Sequence, residues 1–178
     1  MNIMKYTINV DLTVDVDNDV YIKNEELTKI PVKFNKVDGD FSCGKNKLTS
    51  LENCPNNIHG SFYCYENKLT SLEGCPPVVI GNFSCKDNYL TSLKGCPSIV
   101  KHSFYCDGNN LQDINDLDSK IMIKNVDSIY VSRETWDKYF EYWIDKDFSI
   151  FNVLKYRIND EMKQKYNYLF QEKNFDLL

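Results

Sequence analysis

A chain of 178 residues is long enough to bury one substantial core, and 21 basic against 26 acidic side chains set its net charge at −5. That mixed, mildly acidic balance offers no pull toward a nucleic-acid backbone. Nothing approaches the run of about 20 apolar residues that spans a bilayer. The opening MNIMKYTINVDLTVDV has no apolar stretch behind a basic flank, so a cytoplasmic protein is expected.

Residues 1–19 alternate in character. Ile8, Val10, Leu12, Val14 and Val16 fall on one side, with Asp11, Thr13, Asp15 and Asp17 on the other. This period of two predicts a half-buried strand or hairpin, placed to act as an N-terminal β cap.

Residues 20–117 repeat every 21 residues. Phe41, Phe62, Phe83 and Phe104 align, as do Cys43, Cys64, Cys85 and Cys106, and Asn46, Asn67, Asn88 and Asn109. Leu48, Leu69, Leu90 and Leu111 form the next column, then Leu51, Leu72, Leu93 and Ile114. Cys54, Cys75 and Cys96 each precede a proline, and Val37, Ile58, Val79 and Val100 complete the unit. Val20, Ile22, Leu27 and Ile30 fill the same columns in a degenerate first coil. A fixed period of this length predicts a solenoid of about five stacked coils, none able to bury its apolar side alone.

Within a coil, Phe83-Ser84-Cys85 reads as a short strand with Ser84 outward. Asn88 sits at the following bend, where an amide can satisfy a donor and an acceptor of the neighbouring coil, predicting an asparagine ladder. Twenty-one residues leave no room for a full helix on the return side, so extended or 3₁₀ backbone is expected there. The seven cysteines include no CxxC and alternate between two repeat columns. Both features predict reduced thiols serving as small buried hydrophobes, with no zinc site.

The string Phe-x-Cys-x-x-Asn-x-Leu-Thr-Ser-Leu-x-Gly-Cys-Pro resembles a leucine-rich repeat. It is most similar to the short type of bacterial effector proteins, and similar Cys-Pro repeats occur in tailed-phage proteins. The resemblance implies an α+β solenoid: a parallel sheet on a concave face, a non-helical return side, and caps at both ends. One departure stands out. The apolar residue expected three before each Phe lies four before it (Val37, Ile58, Val79, Val100), followed by Gly39, Gly60 and Gly81. This extra residue predicts a β-bulge.

Residues 118–178 lose the period. Ile121, Ile123 and Val126 are expected in a last irregular coil. Ser132 then serves as an N-cap for a helix carrying Trp136, Tyr139, Phe140, Trp143 and Ile144. Two more helical stretches, roughly 148–158 and 160–172, complete a C-terminal helical cap.

Outward columns of the sheet make the candidate binding face: Tyr21, Ser42, Tyr63, Ser84 and Tyr105; then Lys23, Gly44, Tyr65, Lys86 and Asp107; then Lys45, Glu66, Asp87 and Gly108. Tyrosine supplies large area with a polar tip at low entropic cost. Tyr21, Tyr63, Tyr65, Glu66, Lys86, Asp87 and Tyr105 are the expected partner-binding residues, with Trp136 and Tyr139 secondary. Asp15, Asp17, Asp19 and Glu26 match calcium-loop spacing, but Val20 occupies the glycine position and the flanks read as strand, so a solvated strand face is expected. His59 and His102 have no acid paired with them in sequence. With no nucleophile motif, phosphate loop or dinucleotide fingerprint, no catalytic residue, metal or cofactor is expected. The expected function is non-enzymatic binding of a protein partner, with no role for a membrane. The phage-like repeats imply a host or defence protein as that partner. The alternative places the activity in the helical C-terminal region, as nucleic-acid binding, acidic mimicry or an unrecognised enzyme.

Overall fold

The structure is a computed structural model that describes residues 5–111 and the backbone of 128–130. Among the described residues twelve strands form in chain order: β1 (Tyr6–Ile8), β2 (Val14–Val16), β3 (Val20–Tyr21), β4 (Phe34–Val37), β5 (Phe41–Ser42), β6 (Asn57–Ile58), β7 (Phe62–Tyr63), β8 (Val78–Val79), β9 (Phe83–Ser84), β10 (Ile99–Val100), β11 (Ser103–Tyr105) and β12 (Ser128–Tyr130). They make two six-stranded sheets, β1-β2-β4-β6-β8-β10 and β3-β5-β7-β9-β11-β12. We call them the valine sheet and the phenylalanine sheet. All pairings are parallel except β1 with β2. The molecule is thus a β-solenoid. No helix occurs among the described residues, and the helical stretches expected after Ser132, like Ile121, Ile123 and Val126, lie outside them.

The second sheet overturns the expected bulge. Val37 and Phe41 are both fully buried, yet they belong to β4 and β5 in different sheets. The glycine between them makes a corner. A side chain on Gly60 would have its Cβ 2.6 Å from the Gly39 carbonyl one coil earlier, so nothing larger fits. Beside each glycine a short polar residue stitches successive coils: Asp19 Oδ1 accepts the Asp40 N–H (2.8 Å), Asp40 Oδ1 that of Ser61 (2.7 Å), Ser61 Oγ that of Asn82 (3.1 Å) and Asn82 Oδ1 that of Ser103 (3.1 Å).

The predicted asparagine ladder is present. Asn67 Nδ2 donates to the carbonyls of Cys43 and Cys64 (both 3.1 Å), while its Oδ1 accepts the Leu48 N–H (3.0 Å). Asn88 repeats this with Cys64, Cys85 and Leu69. Between the ladders lies the core. Phe41, Phe62, Phe83 and Phe104 stack with successive ring centroids 5.6, 6.0 and 4.9 Å apart. Leu48, Leu69, Leu90, Leu51, Leu72 and Leu93 fill the return side at zero exposure. Each aromatic neighbour adds about 0.5–1.5 kcal/mol beyond the area it buries.

The return side also carries coil-to-coil bonds, from the N–H groups of Lys47, Lys68 and Tyr89 to the carbonyls of Leu27, Leu48 and Leu69. It turns at Asn53, Gly74 and Gly95, all at positive φ. Every side of the coil is therefore held at the same spacing of about 4.8 Å.

At the N-terminus the hairpin forms, but strict alternation fails. The Asp11 carboxylate accepts both the N–H (3.2 Å) and the hydroxyl (2.7 Å) of Thr13, which holds that carboxyl below the usual range. This local turn puts Leu12 at φ 64°, exposes Val10 and Leu12, and buries Thr13. Side chain-to-backbone competition defeats the period-two pattern.

All seven cysteines are thiols. The Cys54 thiol is pushed up by its hydrogen bond with Cys43 and by burial, and burial raises those of Cys64, Cys75, Cys85 and Cys106. Those shifts hold these five thiols in the protonated, weakly nucleophilic form.

Candidate functional site

Parallel register assembles the outer face of the phenylalanine sheet. Tyr21 lies beside Ser42, Ser42 beside Tyr63, Tyr63 beside Ser84, and Ser84 beside Tyr105. Large and small side chains alternate from coil to coil. Ser42 and Ser84 point outward yet are only 3% and 5% exposed, because tyrosines flank them on both sides. Backbone spacing puts Tyr63 and Tyr105 about 9.6 Å apart, with Ser84 between them. They therefore do not stack directly on each other.

The second column shows how the rings lie. A Cβ built on Gly44 would meet the Tyr65 ring at Cε1 (2.8 Å), Cζ (2.9 Å) and Cδ1 (3.0 Å). Tyr65 therefore covers the backbone of the preceding coil, and Gly44 is buried although it faces outward. Only glycine leaves room for that ring.

A third column ends the strands. Asn24, Lys45, Glu66, Asp87 and Gly108 all adopt left-handed backbone, with φ of 62°, 54°, 50°, 53° and 68°. Such geometry is uncommon for residues other than Gly, Asn and Asp, and here it recurs because every coil bends inward at this point to deliver the ladder asparagine. It brings Glu66 within 3.6 Å of Lys45. Lys86 lies 3.2 Å from Asp87, whose hydrogen bond raises the lysine pKa. Both pairs are about half exposed, so they orient charge rather than stabilise the fold.

Tyr21 starts the row. It is 55% exposed, its hydroxyl donates to Asp19 Oδ2 (3.1 Å), and Lys23 sits 5.6 Å from its ring centroid. Partial burial, then the Asp19 bond, raises its pKa. The structure thus brings Tyr21, Tyr63, Tyr65, Glu66, Lys86, Asp87 and Tyr105 onto one face. Trp136 and Tyr139 lie outside the described residues. The strand backbone under this face is already committed: the Cys43, Cys64 and Cys85 N–H groups donate to the carbonyls of Tyr63, Ser84 and Tyr105. The face thus offers side chains for contact, not an open ladder.

Two features escaped the sequence. His59 has an acid after all, with Nδ1 2.6 Å from Asp38 Oδ1 one coil earlier. Asp38 also bonds Lys36, and these contacts, Lys36 first, hold its carboxyl below the usual range. Counting 21 residues back from His59 would have found it. The corner ladder was the other omission. The acids at calcium-loop spacing serve the coils instead: Asp15 accepts the Asn35 amide (2.8 Å) and Asp19 belongs to that ladder. Among the described residues, no group of three or more His, Cys, Asp or Glu is placed to hold a metal ion. Nor is any helix among them long and apolar enough to cross a membrane.

Comparison with protein-family models, with curated proteins and with solved structures finds no match to this chain.

Proposed function

We propose that this protein is a non-enzymatic interaction module that docks a protein partner on the outer face of the phenylalanine sheet. The observation that carries this is the alternation of tyrosine and serine over an unvarying core. The inward columns stay apolar and nearly constant from coil to coil, while the outward ones mix tyrosine, lysine, glutamate and aspartate. A face needed only for folding would have no use for that variety. Five tyrosine-column positions at about 4.8 Å span roughly 20 Å, wide enough for one helix or loop of a partner. The tyrosines supply contact area, and the Lys45–Glu66 and Lys86–Asp87 pairs supply orientation. The likeness of the repeats to leucine-rich units of tailed phages extends the proposal: the partner is a bacterial host protein, and binding inhibits a defence function.

Affinity capture from bacterial lysate followed by mass spectrometry identifies the partner. Tyr63→Ser with Tyr105→Ser, the residue their own column uses in alternate coils, should then leave the fold intact and weaken binding by about 1 kcal/mol or more, roughly fivefold upward. Unchanged affinity in that double variant, with binding lost on deletion from residue 132 onward, would move the functional surface to the C-terminal region.

A further inference from the structure

The two sheets are out of step by one strand. At the N-terminal end the valine sheet runs β1–β2, whereas the phenylalanine sheet begins at β3, in the same coil as β2. β1 therefore overhangs the first core layer. Tyr6 lies opposite Val16 and Ile8 opposite Val14, so both share the face that in β2 turns Val16 into the core. Beneath β1 that face has no opposing strand among the described residues, and Tyr6 and Ile8 are 63% and 62% exposed.

The backbone of β1 is equally open. Asn9 N–H donates to the Thr13 carbonyl (2.8 Å) and Asp17 N–H to that of Lys5 (3.1 Å). Bonded pairs alternate along an antiparallel ladder. Lys5, Thr7 and Asn9 therefore face β2, and Tyr6 and Ile8 turn their N–H and C=O groups outward. Among the described residues β1 pairs with β2 alone. Exposed edges are usually blunted by lysine, proline or a bulge. The stretch Tyr6-Thr7-Ile8-Asn9-Val10 has none of these, and the one lysine on this edge, Lys5, stands at its N-terminal end with its backbone turned to β2.

We infer that β1 is a dimerisation edge, which takes β1 of a second copy in antiparallel register about a two-fold axis at Thr7. The edge is self-complementary. Tyr6 meets Ile8 of the second copy and Ile8 meets its Tyr6, so every outward N–H finds an outward C=O. Aromatic and β-branched side chains then pair across the strands. Lys5 meets a neutral Asn9. The two Asp15 side chains stand three strand spacings apart, roughly 14 Å, beyond the screening length of about 10 Å at 0.1 M salt. Such head-to-head pairing closes on itself and joins the two valine sheets into one, whereas β1 against the β10 edge would propagate without end.

Light scattering on the full chain from about 1 to 100 μM covers the range in which a small interface of this kind dissociates. Mass should rise from one chain to two. Ile8→Pro removes an outward N–H and leaves the β1–β2 ladder alone, so it should stay monomeric with an unchanged circular dichroism spectrum. In the dimer the two Thr7 Cα atoms lie about 4.5 Å apart, within disulfide reach. Thr7→Cys should therefore form a covalent dimer under mild oxidation, while Val10→Cys, far from its own copy, should not. A wild-type chain that stays monomeric throughout would overturn the inference. So would filaments, a dimer that Ile8→Pro leaves intact, or Val10→Cys crosslinking as readily as Thr7→Cys.

Discussion

Two ladders of side chains hold this solenoid together, and they are built differently. The bend ladder is asparagine in four successive coils, at Asn46, Asn67, Asn88 and Asn109. The corner ladder is Asp19, Asp40, Ser61 and Asn82. The reason lies in what each position must do. At the bend, one side chain has to donate to carbonyls of two coils and accept an N–H as well, and Asn67 and Asn88 do this at 6% and 5% exposure. Only a short amide carries both functions. At the corner the task is to accept one backbone N–H near solvent. Carboxylate, hydroxyl and amide oxygens serve equally. Uniformity of residue marks a two-way demand, and uniformity of chemistry alone marks a one-way demand.

Substitutions can break this contrast. The largest effect is expected from Asn88→Asp, which keeps the acceptor for Leu69 but aims a carboxylate oxygen at the Cys64 and Cys85 carbonyls, 3.1 and 3.0 Å from the present nitrogen. Losing a charge-compatible partner in a buried site should cost about 3 kcal/mol or more at neutral pH. Burial would raise the new carboxyl's pKa above its unfolded value, so stability should recover as pH falls through that raised value. Urea midpoints at pH 7 and 5 check both size and sign.

Asn67→Ala comes next. It leaves the buried Leu48 N–H without its partner, while the Cys43 carbonyl loses one of two amide donors and keeps Asn46, at about 1–3 kcal/mol for the orphaned donor. An unchanged urea midpoint would refute the two-way demand. Asp40→Ala should cost less, about 1 kcal/mol, because the Ser61 N–H it abandons lies closer to water. Smallest of all, Asp40→Asn and Asn82→Asp should each stay within about 0.5 kcal/mol, since an accepting oxygen remains. If Asp40→Asn destabilised as much as Asn67→Ala, the corner would need charge and the contrast would collapse.

The same contrast explains what the sequence made legible. Columns constant in identity, such as the Phe, Leu, Cys and Asn columns, declare themselves by alignment at 21 residues. The corner column changes residue at almost every coil, so only its hydrogen bonds reveal it. The valine sheet was hidden for another reason: Val37 and Phe41 are so close that the chain between them reads as a bulge, until Gly39 is seen to turn a corner. Period-two logic anticipated that the residues expected to bind a partner share the outer face of the phenylalanine sheet. The burial of Ser42 and Ser84 was not foreseeable, because it depends on tyrosines contributed by neighbouring coils. At Val10 and Leu12 an Asp11 turn overrode the pattern, and that local competition leaves no trace in periodicity.

The tyrosine–serine alternation sets the unit by which such a protein can grow. The core repeats every 21 residues, but the tyrosine–serine column repeats only after 42, two coils together. Duplicating a single coil would satisfy every buried column and still spoil the exterior. Two tyrosines would stand side by side, each with one small neighbour instead of two, or two serines would each lose their cover on one side. Duplicating a pair of coils lengthens the face with its rhythm unbroken. Gene duplication or deliberate extension of this solenoid should therefore proceed in even numbers of coils, although the interior alone would accept odd ones.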